Sequence, residues 1–435
     1  MPMHHFRYVK GRLHCEGSSI EALVEQYGSP LYVYSSQTLS DHYTRLSQSL
    51  SELDHSICYA VKANSNLGVL HTLAKLGSGF DTVSQGELMR VKAAGGQLNQ
   101  CVFAGVGKTA EEIRYALKQG IYAFNVESLP ELERIHAVAK SLGKKAPVAI
   151  RVNPNVDAKT HAKITTGTYE NKFGVAFEEI EALYAKMSKM PHLHLRGIQM
   201  HIGSQLTKVK PFVDAVKKMV PLVKTLQERH DLECFSIGGG LGIVYDPALE
   251  SGSPQWWKSK QAKGLLTPEI YAQKLVPLLK PLGLRILIEP GRFIAGNAGI
   301  LVTQVEYIKN TGQKHFVIVD AAMNDLIRPS FYDAYHEIVP VRKSRARRIS
   351  SDVVGPICES GDTFCRNRPL PACKEGDLLA MLSAGAYAFT MASNYNTRAM
   401  PAEILVEGNQ HHVVRKRQTL RSLWQLESTP DPAKK

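Results

Sequence analysis

Eight short apolar runs constrain what this chain can fold into more than any other feature. They lie near Ile57–Val61, Phe80–Val83, Cys101–Ala104, Tyr122–Val126, Pro147–Val152, Leu195–His201, Cys234–Ile237 and Arg285–Glu289, and helical patterns separate them. Short runs rich in Val, Ile and aromatic residues read as strands buried on both faces. Their alternation with helices over about 230 residues predicts an α/β fold, a TIM-like (β/α)8 barrel, because parallel strands need a crossover between them. A doubly wound open sheet is the alternative, since counting strands does not prove closure.

The helical patterns are specific in two places. Ser128 with Glu131 three residues on predicts a capping box, after which Leu132, Ile135, Ala139 and Leu142 form one stripe that Gly143 ends. Phe212, Val216, Met219, Val220, Val223 and Leu226 form another. After Arg292 the pattern changes. Val302–Ile308, Phe316–Val319, Asp377–Leu382 and Ile404–Val406 read as strands without long helices between them, which predicts a mostly β C-terminal domain from about residue 293. The Asp246–Gly264 stretch, with two tryptophans among Ser, Gly, Lys and Gln, interrupts the seventh βα unit and reads as a surface excursion or lid.

A chain of 435 residues exceeds the usual single domain. At 44% hydrophobic and 21% charged it has the composition of a soluble globular protein. No apolar run approaches the ~20 residues a spanning helix needs, and Met1–Arg7 lacks the apolar core of a signal peptide. A cytoplasmic protein without membrane contact is expected. Seven scattered cysteines with no Cys-x-x-Cys pair argue against a disulfide framework or a structural metal. The net charge of +13 collects partly in Arg342–Arg348, without any zinc-finger or aromatic RNA-binding motif. It reads as solvated surface and not as a nucleic-acid site.

Barrels of this kind carry their active sites at the C-terminal ends of the strands. Those ends here hold Lys62, Asp81, Arg151, His201, Gly238-Gly239-Gly240, and Glu289 with Arg292. A lysine at a strand end is usually a surface amine, and three glycines are usually a tight turn. Together with a carboxylate they suit pyridoxal 5'-phosphate. The amine condenses with the aldehyde, backbone N–H groups after the seventh strand hold the phosphate, and the carboxylate keeps the ring nitrogen protonated. His201 could stack on the ring. A zinc site would want two or three clustered histidines, and only one is present.

Six motifs occur in order: Tyr59-Ala-Val-Lys-Ala-Asn64, His201-Ile-Gly-Ser-Gln205, Gly238-Gly-Gly-Leu-Gly242, Glu289-Pro-Gly-Arg292, Cys358-Glu-Ser-Gly-Asp362 and Gly385-Ala-Tyr387. On them the chain resembles the fold-type III pyridoxal-phosphate decarboxylases, and most closely those acting on diaminopimelate, from about residue 30 to 410. The resemblance implies a barrel over 36–292 and a β domain from 1–35 with 293–435 that completes the substrate site and dimer interface. It implies that Lys62 binds the cofactor and His201 stacks on it. Ser204, Gly239, Gly240, Pro290, Gly291, Arg292 and Tyr387 would complete the cofactor site, with Glu289 at the ring nitrogen. Arg292, Arg328, Tyr332, Glu359 and Tyr387 would bind a small amino-acid substrate, and Cys358 would donate a proton. It further implies a homodimer with shared active sites and no metal, releasing carbon dioxide from the D-centre of meso-2,6-diaminopimelate to give L-lysine, the last step of lysine biosynthesis. An ornithine- or lysine-type decarboxylase, a non-catalytic cofactor-binding regulator and, more weakly, a racemase are the rivals.

Overall fold

The structure, a computed structural model, describes residues 3–156 and 172–430. They fall into two compact units. One comprises Thr38–Val244 and Ser253–Asn297; the other is formed by the chain up to Gln37, by Tyr245–Gly252 and by the chain from Ala298 onwards.

Eight parallel strands make the first unit: β1 (His55–Ala60), β2 (Gly79–Thr82), β3 (Cys101–Phe103), β4 (Ala123–Val126), β5 (Ala146–Asn153), β6 (Leu193–Met200), β7 (Cys234–Ser236) and β8 (Arg285–Ile288). Each pairs with the next, and β8 pairs with β1 through Leu287↔Ser56 and Ile288↔Ile57, so the sheet closes. The barrel is therefore the fold, and the open sheet is excluded. Polar caps start the helices between the strands. Asn66, Ser84 and Thr267 each accept an N–H from the first turn, and Thr109 with Glu112 forms a full capping box.

The box expected at Ser128 is only half made. Ser128 accepts from the Glu131 amide, but the Glu131 carboxylate turns away to accept from the Glu127 amide and to meet Lys108 Nζ at 2.5 Å. The competing buried ammonium wins because it is a charged donor whose two other partners, Gly105 O and Asn125 O, are neutral.

In the second unit, strand Leu31–Ser35 lies between Gly299–Asn310, to which it is antiparallel, and Ala402–Glu407, to which it is parallel. All five of its residues are buried. The Tyr32 hydroxyl donates to Asp325 O at 2.6 Å and the Tyr34 hydroxyl to Glu403 Oε1 at 2.7 Å. His315–Val319, Arg348–Val354 and Thr363–Pro371 extend the sheet on one side and Gln410–Arg415 on the other.

The Asp246–Gly264 stretch is a surface excursion only in part: Asp246, Glu250, Gln255, Lys258 and Lys263 are exposed, while other residues of it pack inside. Ala248 is buried in the apolar core of the second unit, its carbonyl is bound by His4 Nε2 at 2.8 Å, and Leu249 N donates to Glu337 Oε2 at 2.8 Å. Trp256 is buried too, in the first unit. Polar composition suggested solvent, but the few apolar side chains in it decide where it packs. Among the described residues no helix is long and apolar enough to cross a membrane.

Candidate active site

Lys62 sits in the 3-10 turn Val61–Ala63 that ends β1, and Asp81 on the neighbouring β2. Lys62 Nζ lies 2.7 Å from Asp81 Oδ2. The lysine side chain keeps 44% of its exposure while the aspartate is buried, so the amine is held yet open to a ligand. The other carboxylate oxygen, Asp81 Oδ1, is buried without a hydrogen bond.

Glu289 follows β8 and is buried. Three neutral donors from three further strands converge on it: Ser236 Oγ at 2.7 Å, Gln199 Nε2 at 2.9 Å and Asn125 Nδ2 at 3.2 Å. Burial, reinforced by the nearby charge of Asp81, pushes its carboxyl up to about 7. Asn125 is in turn anchored, because its carbonyl accepts from the buried Lys108 Nζ at 2.8 Å. Beside this chain Arg151, on β5, grips Glu127 at 3.0 and 3.1 Å. Reading strand ends pointed to Lys62, Asp81, Arg151 and Glu289 but missed Asn125, Gln199, Ser236, Glu127, Lys108 and Glu131. For Asn125, Gln199 and Ser236 the available signal was a polar residue inside an otherwise apolar two-face-buried strand.

His201 ends β6. The Gly239 amide donates to its Nδ1 at 3.2 Å, and burial with the charges of Arg151 and Lys62 holds the imidazole well below its usual range. It is a neutral ring with Nδ1 as the acceptor. Gly238–Gly240 pass so close to other backbone that no side chain fits. A Cβ would stand 2.3 Å from Met200 O at Gly238, 2.2 Å from Glu289 O at Gly239 and 2.5 Å from Gly203 O at Gly240. Gly238 and Gly240 also have φ of +70° and +108°. The loop after β6 docks on this one, with Leu206 N donating to Gly240 O at 2.9 Å. Ser204 in that loop accepts from Arg292 Nη2 at 3.2 Å. Pro290 O accepts from Ala60 N at 3.1 Å, and Gly291 opens the short Arg292–Ala295 helix.

The remaining expected residues belong to the second unit. Arg328 and Tyr332 begin and end one short helix; Arg328 is buried, with Nε 3.2 Å from His336 Nε2 and its guanidinium over the Tyr245 ring at 5.5 Å. Cys358 and Glu359 stand exposed on the turn before strand Thr363–Pro371. Ser330 Oγ donates to Gly361 O at 2.5 Å and so ties helix and turn together. The buried Asp362 braces the turn by accepting from Ile357 N at 2.8 Å and Met323 N at 2.7 Å. Among the described residues Cys358 is the exposed cysteine; Cys58, Cys101 and Cys234 are buried, and burial pushes the last two up to about 12. Tyr387 adopts φ +55°, a left-handed conformation that is costly for a bulky side chain.

Residues 36–296 match the model of the pyridoxal-dependent decarboxylases, pyridoxal binding domain. Over 429 residues the chain is 49% identical to diaminopimelate decarboxylase of Vibrio cholerae, covering 98% of this chain and 99% of that one. The chain belongs to the diaminopimelate decarboxylase family. The Pseudomonas aeruginosa member is 48% identical over 427 residues, 97% of this chain and 98% of the other. The crystal structure of the Helicobacter pylori diaminopimelate decarboxylase, complexed with L-lysine, superposes with a TM-score of 0.87 at 41% identity, covering 94% of this chain and 98% of that one.

Diaminopimelate decarboxylases of this family depend on pyridoxal phosphate, and three features of the barrel fit that group. The Lys62 amine is accessible. The backbone at Gly238–Gly240 has no room for side chains of its own. The Glu289 carboxylate accepts from three neutral side-chain donors, which leaves its charge to suit a protonated ring nitrogen.

Proposed function

We propose that this chain removes carbon dioxide from the D-centre of meso-2,6-diaminopimelate and releases L-lysine, with pyridoxal 5'-phosphate held on Lys62. The observation that carries the reading is Glu289, a buried carboxylate that three strands supply with neutral donors, at the end of the strand paired with the one that carries the accessible Lys62. The Helicobacter pylori relative is complexed with L-lysine, the product this reading requires.

Pyridoxal phosphate, when bound, supplies the electron sink for the pair left as carbon dioxide departs. The chain's own groups do the rest. Asp81 orients the Lys62 amine. Glu289 would keep a proton on the ring nitrogen, and the hydrogen bonds from Ser236 and Gln199 favour its charged form against the burial that opposes it. His201, neutral and fixed through Nδ1 by the Gly239 amide, offers the flat face of its ring. Ser204, Gly239, Gly240, Pro290, Gly291 and Arg292 would hold the phosphate and ring, and the family resemblance assigns Tyr387 to the same group. Arg292 and Arg328 grip the distal carboxylate of the substrate, Glu359 takes its distal ammonium, and Tyr332 and Tyr387 add hydroxyls.

Cys358 returns one proton to one face of the reacting carbon. Its exposure suits a thiol that works against a second copy of the chain, so the reading includes a homodimer with shared sites. A cytoplasmic location keeps that thiol reduced.

The test is carbon dioxide release from meso-diaminopimelate, lysine and ornithine with added cofactor. Lysine lacks the distal carboxylate and leaves an arginine unpaired, at roughly 2–4 kcal/mol or about 30- to 1,000-fold in selectivity. Arg328→Met should narrow that gap while leaving cofactor binding intact. Equal turnover of lysine or ornithine by the unmodified protein replaces this reading with a broad basic amino-acid decarboxylase.

A further inference from the structure

We infer that Asn396 is a positioning residue for Cys358, fixing the backbone of the turn from which the thiol works. The inference rests on the reading of Cys358 as proton donor and adds what holds it in place.

A buried acid is positioned by its packing. Cys358 is exposed, as are Glu359 and Ser360 beside it, so packing within their own chain does not do this for them. Asp362 secures the residue before, at Ile357 N. At Cys358 itself the amide N–H donates to Asn396 Oδ1 at 3.4 Å.

Asn396 reaches that position through an unusual backbone. It has φ +55°, and Thr397 next to it has φ +54°. Asparagine tolerates the left-handed region, but a β-branched threonine does not do so readily. Two such residues in succession persist only where the surroundings dictate them. The strap is anchored on both sides. Ser393 N donates to Asn324 O at 2.9 Å, Asn394 Nδ2 to Arg398 O at 2.8 Å and Gln418 Oε1 at 2.7 Å, and Arg398 Nη2 to Asp320 O at 2.5 Å. Asn396 is thus a fixed post at Cys358 itself, on a turn that Asp362 and Ser330 hold on either side at Ile357 and Gly361. Proton transfer falls off steeply with misalignment, so a backbone bond at the donor residue bears on kcat more than on substrate affinity.

Two variants of the full-length holoenzyme separate the side chain from the backbone. Asn396→Gly keeps the left-handed conformation without strain and removes the acceptor. Asn396→Asp keeps both conformation and acceptor. We expect Asn396→Gly to lower kcat on meso-diaminopimelate by about 10-fold with KM within about twofold and the cofactor absorbance unchanged, and Asn396→Asp to restore most of the rate. Parental kcat in Asn396→Gly, a loss confined to KM, or a failure of Asn396→Asp to restore the rate overturns the role of Asn396 while Cys358→Ala remains impaired. Parental activity in Cys358→Ala instead overturns the proton-donor reading, and this inference with it.

Discussion

Glu289 and Cys358 stand at opposite ends of how this chain fixes a reactive group. Glu289 is closed in by side chains from β4, β6 and β7, and each of those strands is locked in a continuous ring of parallel partners. Cys358 stands exposed on a turn held by hydrogen bonds to Asp362 at Ile357, from Ser330 at Gly361 and to Asn396 at Cys358 itself. The contrast has a physical cause. A buried carboxylate that must stay ionised beside a ligand needs fixed donors around it, because burial itself opposes its charge. On the proposed reading, a thiol that works against a second copy cannot be enclosed by its own chain. On this account the barrel carries the cofactor chemistry within one chain, and the second unit carries groups that become useful only once something covers them.

The sharpest break of the barrel half is Lys62→Ala. It should abolish turnover, by on the order of 1,000-fold or more, and the visible absorbance of the bound cofactor should shift to that of the free aldehyde. Borohydride treatment of the parent should fix the label on the Lys62 peptide; a label elsewhere removes Lys62 from its role.

A smaller effect is expected at Glu289. Glu289→Gln keeps the shape and the donors' partner but not the charge, so kcat should fall by about 100- to 1,000-fold with cofactor retained. Near-parental turnover would make the carboxylate structural only. The same residue gives a pH test of the cofactor-free protein. Its carboxyl is raised from an ordinary 4.5 to about 7 in the fold, so between those values the folded state binds more protons than the unfolded one. Stability of the stripped protein should therefore fall as pH rises from about 4.5 to about 7 and level off above. Thermal melts should show this slope in the parent and a flatter one in Glu289→Gln.

The smallest effect lies away from the site. Thr109→Ala removes one arm of the capping box on the Ala110–Gln119 helix. It should cost about 1 kcal/mol in denaturant melts with kcat unchanged. A loss of activity there would mean that barrel scaffolding and chemistry are less separable than the comparison holds.

Much of the barrel half was legible in the sequence because it is periodic. All eight apolar runs are strands, shifted by a residue or two, since buried parallel strands must be apolar throughout. Lys62, His201, the three glycines and Glu289 stand out because strand ends are where a barrel places chemistry. The support beneath Glu289 was not legible: Asn125, Gln199 and Ser236 lie about 40 to 70 positions apart and meet only on closure of the ring. Asp246–Gly264 was misread in part because composition says nothing about which unit a few apolar residues will join. In the second unit the strands Arg348–Val354, Thr363–Pro371 and Gln410–Arg415 escaped notice, because exposed positions along them carry Arg, Asn, His and Ser in place of a clean alternation. Asn396 had no signal at all beyond an asparagine in a loop; its meaning lies in a backbone angle.

One measurement tests the central claim most directly. Lys62→Ala and Cys358→Ala proteins are purified separately, mixed, and allowed to exchange subunits, with exchange followed by an independent tag. Each parent should be nearly inactive, and the mixture should recover up to about a quarter of parental activity, the share of sites that pair an intact Lys62 with an intact Cys358 from the other copy. A mixture that exchanges fully and stays as inactive as its parents would show that both residues act within a single chain.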